Sequence, residues 1–132
     1  MKNGLVIADA GAIFSLAIIG KLKLLNALFD DIKIPKAVWK EITLDKSAAV
    51  YKSINHFFKP KVINIKGFNE LSFVMDYGES ESIILYKELD ADFLLIDDKK
   101  ARTIAENFGI KCIGTLGILL AAKNKGLLKK LR

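Results

Sequence analysis

The sequence has few residues of the kinds that bind zinc or cross-link a chain. Its 132 residues include one cysteine, one histidine and two prolines. Cys112 alone cannot form an internal disulfide, so nothing points to an oxidising compartment and we expect a cytoplasmic protein. A zinc site needs several thiolate or imidazole ligands, and this composition excludes one.

Long apolar runs are also lacking. The first twenty residues are apolar, but Asp9 and three glycines interrupt them. A charge inside a short apolar run is costly in a bilayer, and the uninterrupted part is much shorter than the about 20 residues of a membrane span. We therefore predict a soluble protein that does not associate with membranes. No repeat, low-complexity segment or linker divides the sequence, so residues 1–132 are predicted to form a single domain.

Short apolar segments alternate with helical patterns along most of the chain. Strands are predicted from Leu5 to Asp9 and at Ile32–Ile34, Lys61–Ile65, Ala91–Ile96 and Ile110–Ile113. Helices are predicted at Ala12–Ile19, near 22–29, from Pro35, at Ala48–Phe58, from Asp76, at Lys99–Phe108 and at Leu116–Asn124. Gly67–Tyr77 has no strong period and is predicted to be a short helix or a loop. The alternation predicts an α/β fold with a central, mostly parallel sheet of about five strands between two layers of helices.

Charge is the first indication of a partner. Twenty-one basic residues against fifteen acidic ones give a formal charge of +6, which favours a polyanion such as nucleic acid. Lys99, Lys100 and Arg102 directly follow the acids of one strand end. They fit contacts to backbone phosphates, and they equally fit the solvated start of a helix.

Acidic side chains occur where two predicted strands end. Asp9 follows the apolar run that begins at Leu5, and Asp98 follows the strand that ends at Ile96. Ligands of open parallel sheets bind beyond the carboxyl ends of the strands, so both acids are well placed for chemistry. Each acid also fits a second role, that of capping the helix that follows it.

Two further acids, on predicted helices, would join these if the helices start at the same edge of the sheet. The resulting cluster is Asp9, Glu41, Glu81 and Asp98. Carboxylates a few ångströms apart raise one another's pKa, and oxygen ligands alone suit Mg²⁺ or Mn²⁺. Such a cation activates water and offsets charge on a phosphoryl oxygen, so phosphodiester hydrolysis best uses this set.

Simpler roles stay open for several of these residues. Glu41 fits a solvated helix position paired with Lys36 or Lys40, and Glu79 fits a capping box that begins at Asp76. His56 has no matched serine or cysteine, so we give it little weight as a catalyst.

Six segments, in order along the chain, carry a resemblance to a known family. The chain resembles the PIN-domain nucleases, in particular short stand-alone prokaryotic proteins related to the toxins of toxin–antitoxin pairs. The segments are Val-Ile-Ala-Asp at 6–9, Leu-Ala-Ile-Ile-Gly-Lys-Leu at 16–22, Ile-Pro-Lys-Ala-Val-Trp-Lys-Glu-Ile at 34–42, Gly-Glu-Ser-Glu-Ser-Ile at 78–83, Leu-Leu-Ile-Asp-Asp-Lys-Lys-Ala-Arg at 94–102 and Ile-Gly-Thr-Leu-Gly-Ile-Leu at 113–119.

The resemblance implies a PIN-like fold that binds Mg²⁺ or Mn²⁺ in an acidic crevice and cleaves single-stranded RNA. The four acidic residues of the family correspond to Asp9, Glu41, Glu81 and Asp98 in this sequence. The resemblance implies that these four residues are catalytic and bind the metal. Glu79 and Asp97 are the neighbours that take these roles if the register differs. The resemblance also implies RNA as substrate, an antitoxin protein as partner, and a homodimer.

The sequence departs from the family just after its first acid. The family usually places hydroxyl residues there, whereas Ala10 and Gly11 follow Asp9. This departure favours an alternative function, a PIN-like module with weak or no activity that binds RNA or a protein. A haloacid-type phosphatase is disfavoured, because it needs an aspartate at the position of Gly11.

Overall fold

The computed structural model of the chain describes residues 2–67 and 75–128. Its five strands are β1 Leu5–Ala8, β2 Asp31–Pro35, β3 Val62–Ile63, β4 Phe93–Leu95 and β5 Cys112–Ile113. They form one sheet in the order β3-β2-β1-β4-β5, and every neighbouring pair is parallel. The predicted parallel sheet of about five strands is confirmed.

Helices follow the strands on both faces of this sheet. They are α1 Ala10–Ile18, α2 Lys23–Leu28, α3 Lys36–Ile42, α4 Tyr51–Phe58, α5 Tyr77–Glu88, α6 Lys99–Asn107 and α7 Thr115–Asn124. Successive side chains of a strand point to opposite faces, so β1 serves two cores. Val6 packs with residues of α1 to α4 and α7, whereas Ile7 packs with residues of α5 and α6. The three-layer α/β/α architecture is therefore confirmed.

The central position of β1 explains its composition. Val6, Ile7 and Ala8 are all fully buried, because helices cover both faces of the sheet and strands flank both sides. These three positions therefore have no contact with solvent, and the sequence of the strand is an apolar run instead of an alternating pattern. Its carboxyl end delivers Asp9 to the edge of the sheet where β4 also ends.

Some predicted boundaries differ from the structure. Pro35 ends β2, with extended backbone paired to Ile63, and does not lie in the first turn of α3. The helix predicted from Ala48 begins at Tyr51. Most of the segment Gly67–Tyr77 falls on residues 68–74, which lie outside the described residues. In the part of the chain that is described, no helix is long and apolar enough to cross a membrane.

Candidate active site

Asp9 is a buried acid at the carboxyl edge of the sheet. Its backbone amide donates to the carbonyl of Leu95 at 2.9 Å, which ties it to the end of β4. Only 6% of the residue is exposed. Although Asp9 precedes α1, within the described residues its side chain makes no capping hydrogen bond to that helix. The capping role therefore does not explain this acid.

Burial perturbs the ionisation of Asp9. The pKa of its carboxyl group is raised from 3.8 to about 7, chiefly by desolvation and to a smaller extent by the charges of Asp76 and Glu41. The amide of Ala10 and the hydroxyl of Ser82 act in the opposite direction. The Ser82 contact is weak, because its hydroxyl donates to the carbonyl of Gly78 at 2.8 Å and lies 3.5 Å from the Asp9 carboxylate.

The start of α5 supplies two more acids. Asp76 caps the helix by accepting a hydrogen bond from the amide of Glu79 at 2.8 Å, as the capping pattern predicts. The half-buried Glu79 carboxylate lies near the carboxylates of Asp76, Asp9 and Asp98. Desolvation, followed by the charge of Asp76, raises the pKa of Glu79 to about 7. Glu79 thus has a place among the acids as well as a place in the helix cap.

A glycine lets the carboxylate of Glu41 approach this group. A Cβ on Gly78 would meet Oε1 of Glu41 at 2.7 Å and Oδ1 of Asp76 at 3.7 Å. The absence of that Cβ therefore leaves room for the carboxylate of α3 at the start of α5. The pKa of Glu41 is raised, first by partial burial of its carboxylate and then by the charge of Asp76.

The structure places Glu81 apart from the other acids. Its Oε1 accepts a hydrogen bond from the amide of Ala37 at 3.1 Å and so satisfies one of the free amides at the start of α3. Each residue advances an α-helix by about 100°, so Glu79 and Glu81 point about 200° apart. Glu79, the neighbour named as its alternative, lies on the face of α5 that meets Asp9.

The two adjacent aspartates after β4 also separate. Asp98 caps α6 by accepting from the amide of Ala101 at 2.9 Å, and it also lines a cavity of about 170 Å³ together with Asp76 and Glu79. Asp97 accepts from the amide and the hydroxyl of Thr115 at 2.7 and 2.6 Å. Asp97 therefore holds the start of α7, while Asp98 faces the other acids.

Among the basic residues proposed for phosphate contact, Lys100 lines this cavity. Arg102 lies instead toward Gly114, where its Nη1 would be 3.1 Å from an added Cβ. His56 lines a separate cavity of about 300 Å³ with residues of α1, α2 and α4, among them Ala17 and Lys23. Lys100 thus lies beside the acids, and His56 belongs to another part of the surface.

We call the group Asp9, Glu41, Asp76, Glu79 and Asp98 the acidic cluster. Sequence reasoning treated Asp76 only as a helix cap, although its spacing of three residues from Glu79 places both on one helix face. Within residues 2–67 and 75–128, no three acidic, histidine or cysteine side chains form a ready-made metal site. The cluster is a group of carboxylates whose charges raise the pKa of Asp9, Glu41 and Glu79.

Comparison with known families agrees with this geometry. Residues 5–132 match the family described as DUF3368: PIN domain. No curated protein sequence matches the chain significantly. The family match spans nearly the whole chain, and the fold has the expected three layers with acids at the carboxyl edge of the sheet. The chain therefore belongs to the PIN-domain family, whose general function is that of a nuclease.

Proposed function

We propose that the protein is a Mg²⁺- or Mn²⁺-dependent endoribonuclease that hydrolyses phosphodiester bonds of single-stranded RNA. The observation that carries this proposal is the acidic cluster, in which burial and mutual repulsion raise the pKa of Asp9 and Glu79 to about 7. Strongly perturbed acids that converge in a crevice are typical of functional sites. The formal charge of +6 supports a polyanionic substrate.

The donor set of the cluster fits a hard divalent cation. It consists of carboxylate oxygens, the ligands that Mg²⁺ and Mn²⁺ prefer, and a cation would relieve the repulsion among them. Asp9, Glu79 and Asp98 would hold the ion, with Glu41 and Asp76 beside them to hold its waters. When bound, such an ion lowers the pKa of a water and offsets charge on a phosphoryl oxygen.

Contacts within the protein hold the carboxylates of Asp9 and Asp98 in fixed orientations. Burial and the backbone bond to Leu95 fix Asp9 in place, and the bond to the amide of Ala101 fixes Asp98. These two carboxylates therefore lose little freedom when they bind a ligand. Lys100, which lines the same cavity, is placed to hold a substrate phosphate that enters it.

Replacing Asp9 with asparagine tests the proposal. In calorimetric titration with Mn²⁺, we expect the wild type to bind the ion and Asp9→Asn to lose the binding. With labelled single-stranded RNA and Mn²⁺, cleavage should fall more than about 100-fold, beyond the loss seen for groups that only support a metal ligand. Circular dichroism and thermal melting check that the variant is folded.

Cleavage that survives in a folded Asp9→Asn variant would contradict the proposal. A wild type that binds RNA but neither binds Mn²⁺ nor cuts would favour the alternative, a PIN-like binding module. That alternative is supported by Ala10 and Gly11, which offer the site no hydroxyl. Gly11 has no neighbour within 4 Å of an added Cβ, so its side of the site is open.

The proposal includes a cellular role and partners, as the family resemblance implies. We propose that the protein acts in the cytoplasm as the toxin of a toxin–antitoxin pair and forms a homodimer. Induced expression of the wild type should then arrest growth, while expression of Asp9→Asn should not. Light scattering after size-exclusion chromatography should give twice the chain mass of 14.6 kDa. Normal growth after expression of the wild type would contradict the toxin role. A monomer at high protein concentration would contradict the homodimer.

A further inference from the structure

A third cavity, of about 460 Å³, lies between α3 and α5. Lys36, Ala37 and Lys40 line it from α3, and Tyr77 and Glu81 line it from α5. Each helix contributes residues four positions apart, which share one helix face. We call this cavity the α3–α5 groove.

The groove combines an exposed aromatic ring with unpaired positive charge. Tyr77 is 63% exposed, so the face of its ring is accessible to a ligand. In the described part of the chain, neither Lys36 nor Lys40 forms an ion pair. The one acid of the groove, Glu81, already accepts a hydrogen bond from the amide of Ala37. An anion with a flat apolar surface would therefore find complementary groups here.

Helices α3 and α5 both contribute residues to the groove and to the acidic cluster. Lys40 directly precedes Glu41, and Tyr77 lies between Asp76 and Gly78, the glycine against which Glu41 packs. On α5, Tyr77 and Glu79 point about 200° apart, so the ring lies on the groove side while the acid faces the cluster. The groove and the cluster therefore lie on different sides of α5, and a strand that passes over the start of this helix would reach both.

We propose that the α3–α5 groove binds one nucleotide of the single-stranded RNA that is cut at the acidic cluster. Its base stacks on Tyr77, and its phosphates contact Lys36 and Lys40. This inference rests on the proposed function, because it takes the cluster as the place of cleavage. Every base has a face that stacks on an aromatic ring, so the groove adds affinity with little base preference.

Binding by an inactive variant tests the groove without depending on cleavage. In an Asp9→Asn background, fluorescence anisotropy would compare a labelled octamer of adenosine with an abasic octamer that has the same sugar-phosphate chain. Tyr77→Ala should weaken binding of the adenosine octamer by roughly 5- to 100-fold, the range for loss of one stacked base. Binding of the abasic octamer should be unchanged, and Tyr77→Phe, which keeps the ring, should bind both as the parent does.

The phosphate contacts of Lys36 and Lys40 are tested separately, by the salt dependence of RNA affinity. Lys36→Ala and Lys40→Ala should each reduce the slope of log affinity against log salt by about 0.7, the value for one phosphate contact on a single strand. Lys52→Ala, an exposed lysine of α4 outside the groove, is the matched control and should leave the slope unchanged.

Each outcome separates the groove from the proposed cleavage. Equal binding of the two octamers by the Asp9→Asn parent, or equal losses for both on Tyr77→Ala, would overturn stacking. Binding that is indifferent to Tyr77, Lys36 and Lys40 would reject the groove as an RNA site and leave it as a surface for protein contact. If the groove variants behave as expected but the wild type does not cut, the proposed nuclease activity fails and the groove stands.

Discussion

Carboxylates occur at both edges of the parallel sheet, and the two edges use them differently. At the edge where the strands begin, Asp30 accepts from the amide of Gly4 at 2.9 Å and Asp92 accepts from the amide of Leu5 at 2.7 Å. These acids hold the first residues of β1 in place. At the edge where the strands end, Asp9 and Glu79 face other carboxylates, and the pKa of each is raised to about 7.

The difference shows how to separate structural from functional acids in one fold. An acid that accepts backbone amides stabilises the strand or helix whose free amides it satisfies. An acid that is buried among other acids costs stability, and such a cost persists where function requires it. By this criterion Glu81 and Asp97 belong with Asp30 and Asp92, although they lie near the carboxyl edge. Asp76 and Asp98 meet both descriptions, because each caps a helix and also lines the cavity of the acidic cluster.

The largest expected effect separates the two glutamates of α5. Glu79→Gln should reduce RNA cleavage in Mn²⁺ more than about 100-fold, because it removes a carboxylate of the cluster. Glu81→Gln keeps an oxygen that accepts from the amide of Ala37, so its cleavage rate should stay near that of the wild type. Initial rates on one labelled RNA measure both. Loss of activity in Glu81→Gln with normal Glu79→Gln would reverse the assignment of the two faces.

The next effect concerns the stability of the metal-free protein. The pKa of Asp9 is about 7 in the folded protein and 3.8 when unperturbed. Well below pH 3.8 both states hold the proton and burial of this group carries no ionisation penalty. As the pH rises toward 7, the unfolded chain releases the proton that the folded chain keeps, so the free energy of unfolding falls. Asp9→Asn removes this penalty.

Thermal melting in EDTA measures that difference. At pH 8 the variant should be more stable than the wild type by up to about 4 kcal/mol, the full value of the pKa shift. At pH 4 the difference should shrink to about 0.6 kcal/mol, because the unfolded group is still partly protonated there. Added Mn²⁺ should raise the melting temperature of the wild type and leave that of Asp9→Asn unchanged. A difference that does not vary with pH would show that ionisation of Asp9 is not its source.

A smaller effect is expected for the adjacent Asp97 and Asp98. One substitution should change stability, and the other should change Mn²⁺ affinity. Asp97→Asn weakens the contacts to Thr115 and should lower the free energy of unfolding by about 1 kcal/mol, while Mn²⁺ affinity is kept. In Asp98→Asn the new side chain still caps α6, so stability should be kept while Mn²⁺ affinity falls. Urea unfolding and calorimetry give the two quantities. The same pattern in both variants would argue against distinct roles.

The smallest effect is expected from two glycines in helices. A Cβ on Gly78 would lie 2.7 Å from Oε1 of Glu41, so Gly78→Ala should displace that carboxylate and weaken Mn²⁺ binding a little. Gly11→Ala meets nothing within 4 Å and is the control. It should raise stability by up to about 1 kcal/mol through helix propensity and leave Mn²⁺ binding unchanged. Equal Mn²⁺ affinities in the two variants would show that the approach of Glu41 is unimportant.

The fold could be predicted from the sequence because short local patterns indicate where its strands and helices begin and end. The apolar run that ends at Asp9 indicates a strand buried on both faces, and Asp76 followed by Glu79 indicates a helix start. Both features are present in the structure. The short edge strand β3 is harder to delimit from the sequence. Apolar residues predict a strand at Lys61–Ile65, but β3 consists of Val62 and Ile63, which pair with β2.

The sequence by itself determined the alternation of strands and helices, and with it the edge at which the strand-end acids lie. Tertiary structure alone decided which acids meet. The face of α5 that packs on the sheet selects Glu79 over Glu81, because two residues turn a helix by about 200°. Contact with Thr115 removes Asp97 from the group, and packing of α3 against Gly78 brings Glu41 to it. The raised pKa of Asp9 likewise depends on burial, which arises only when distant segments assemble around it.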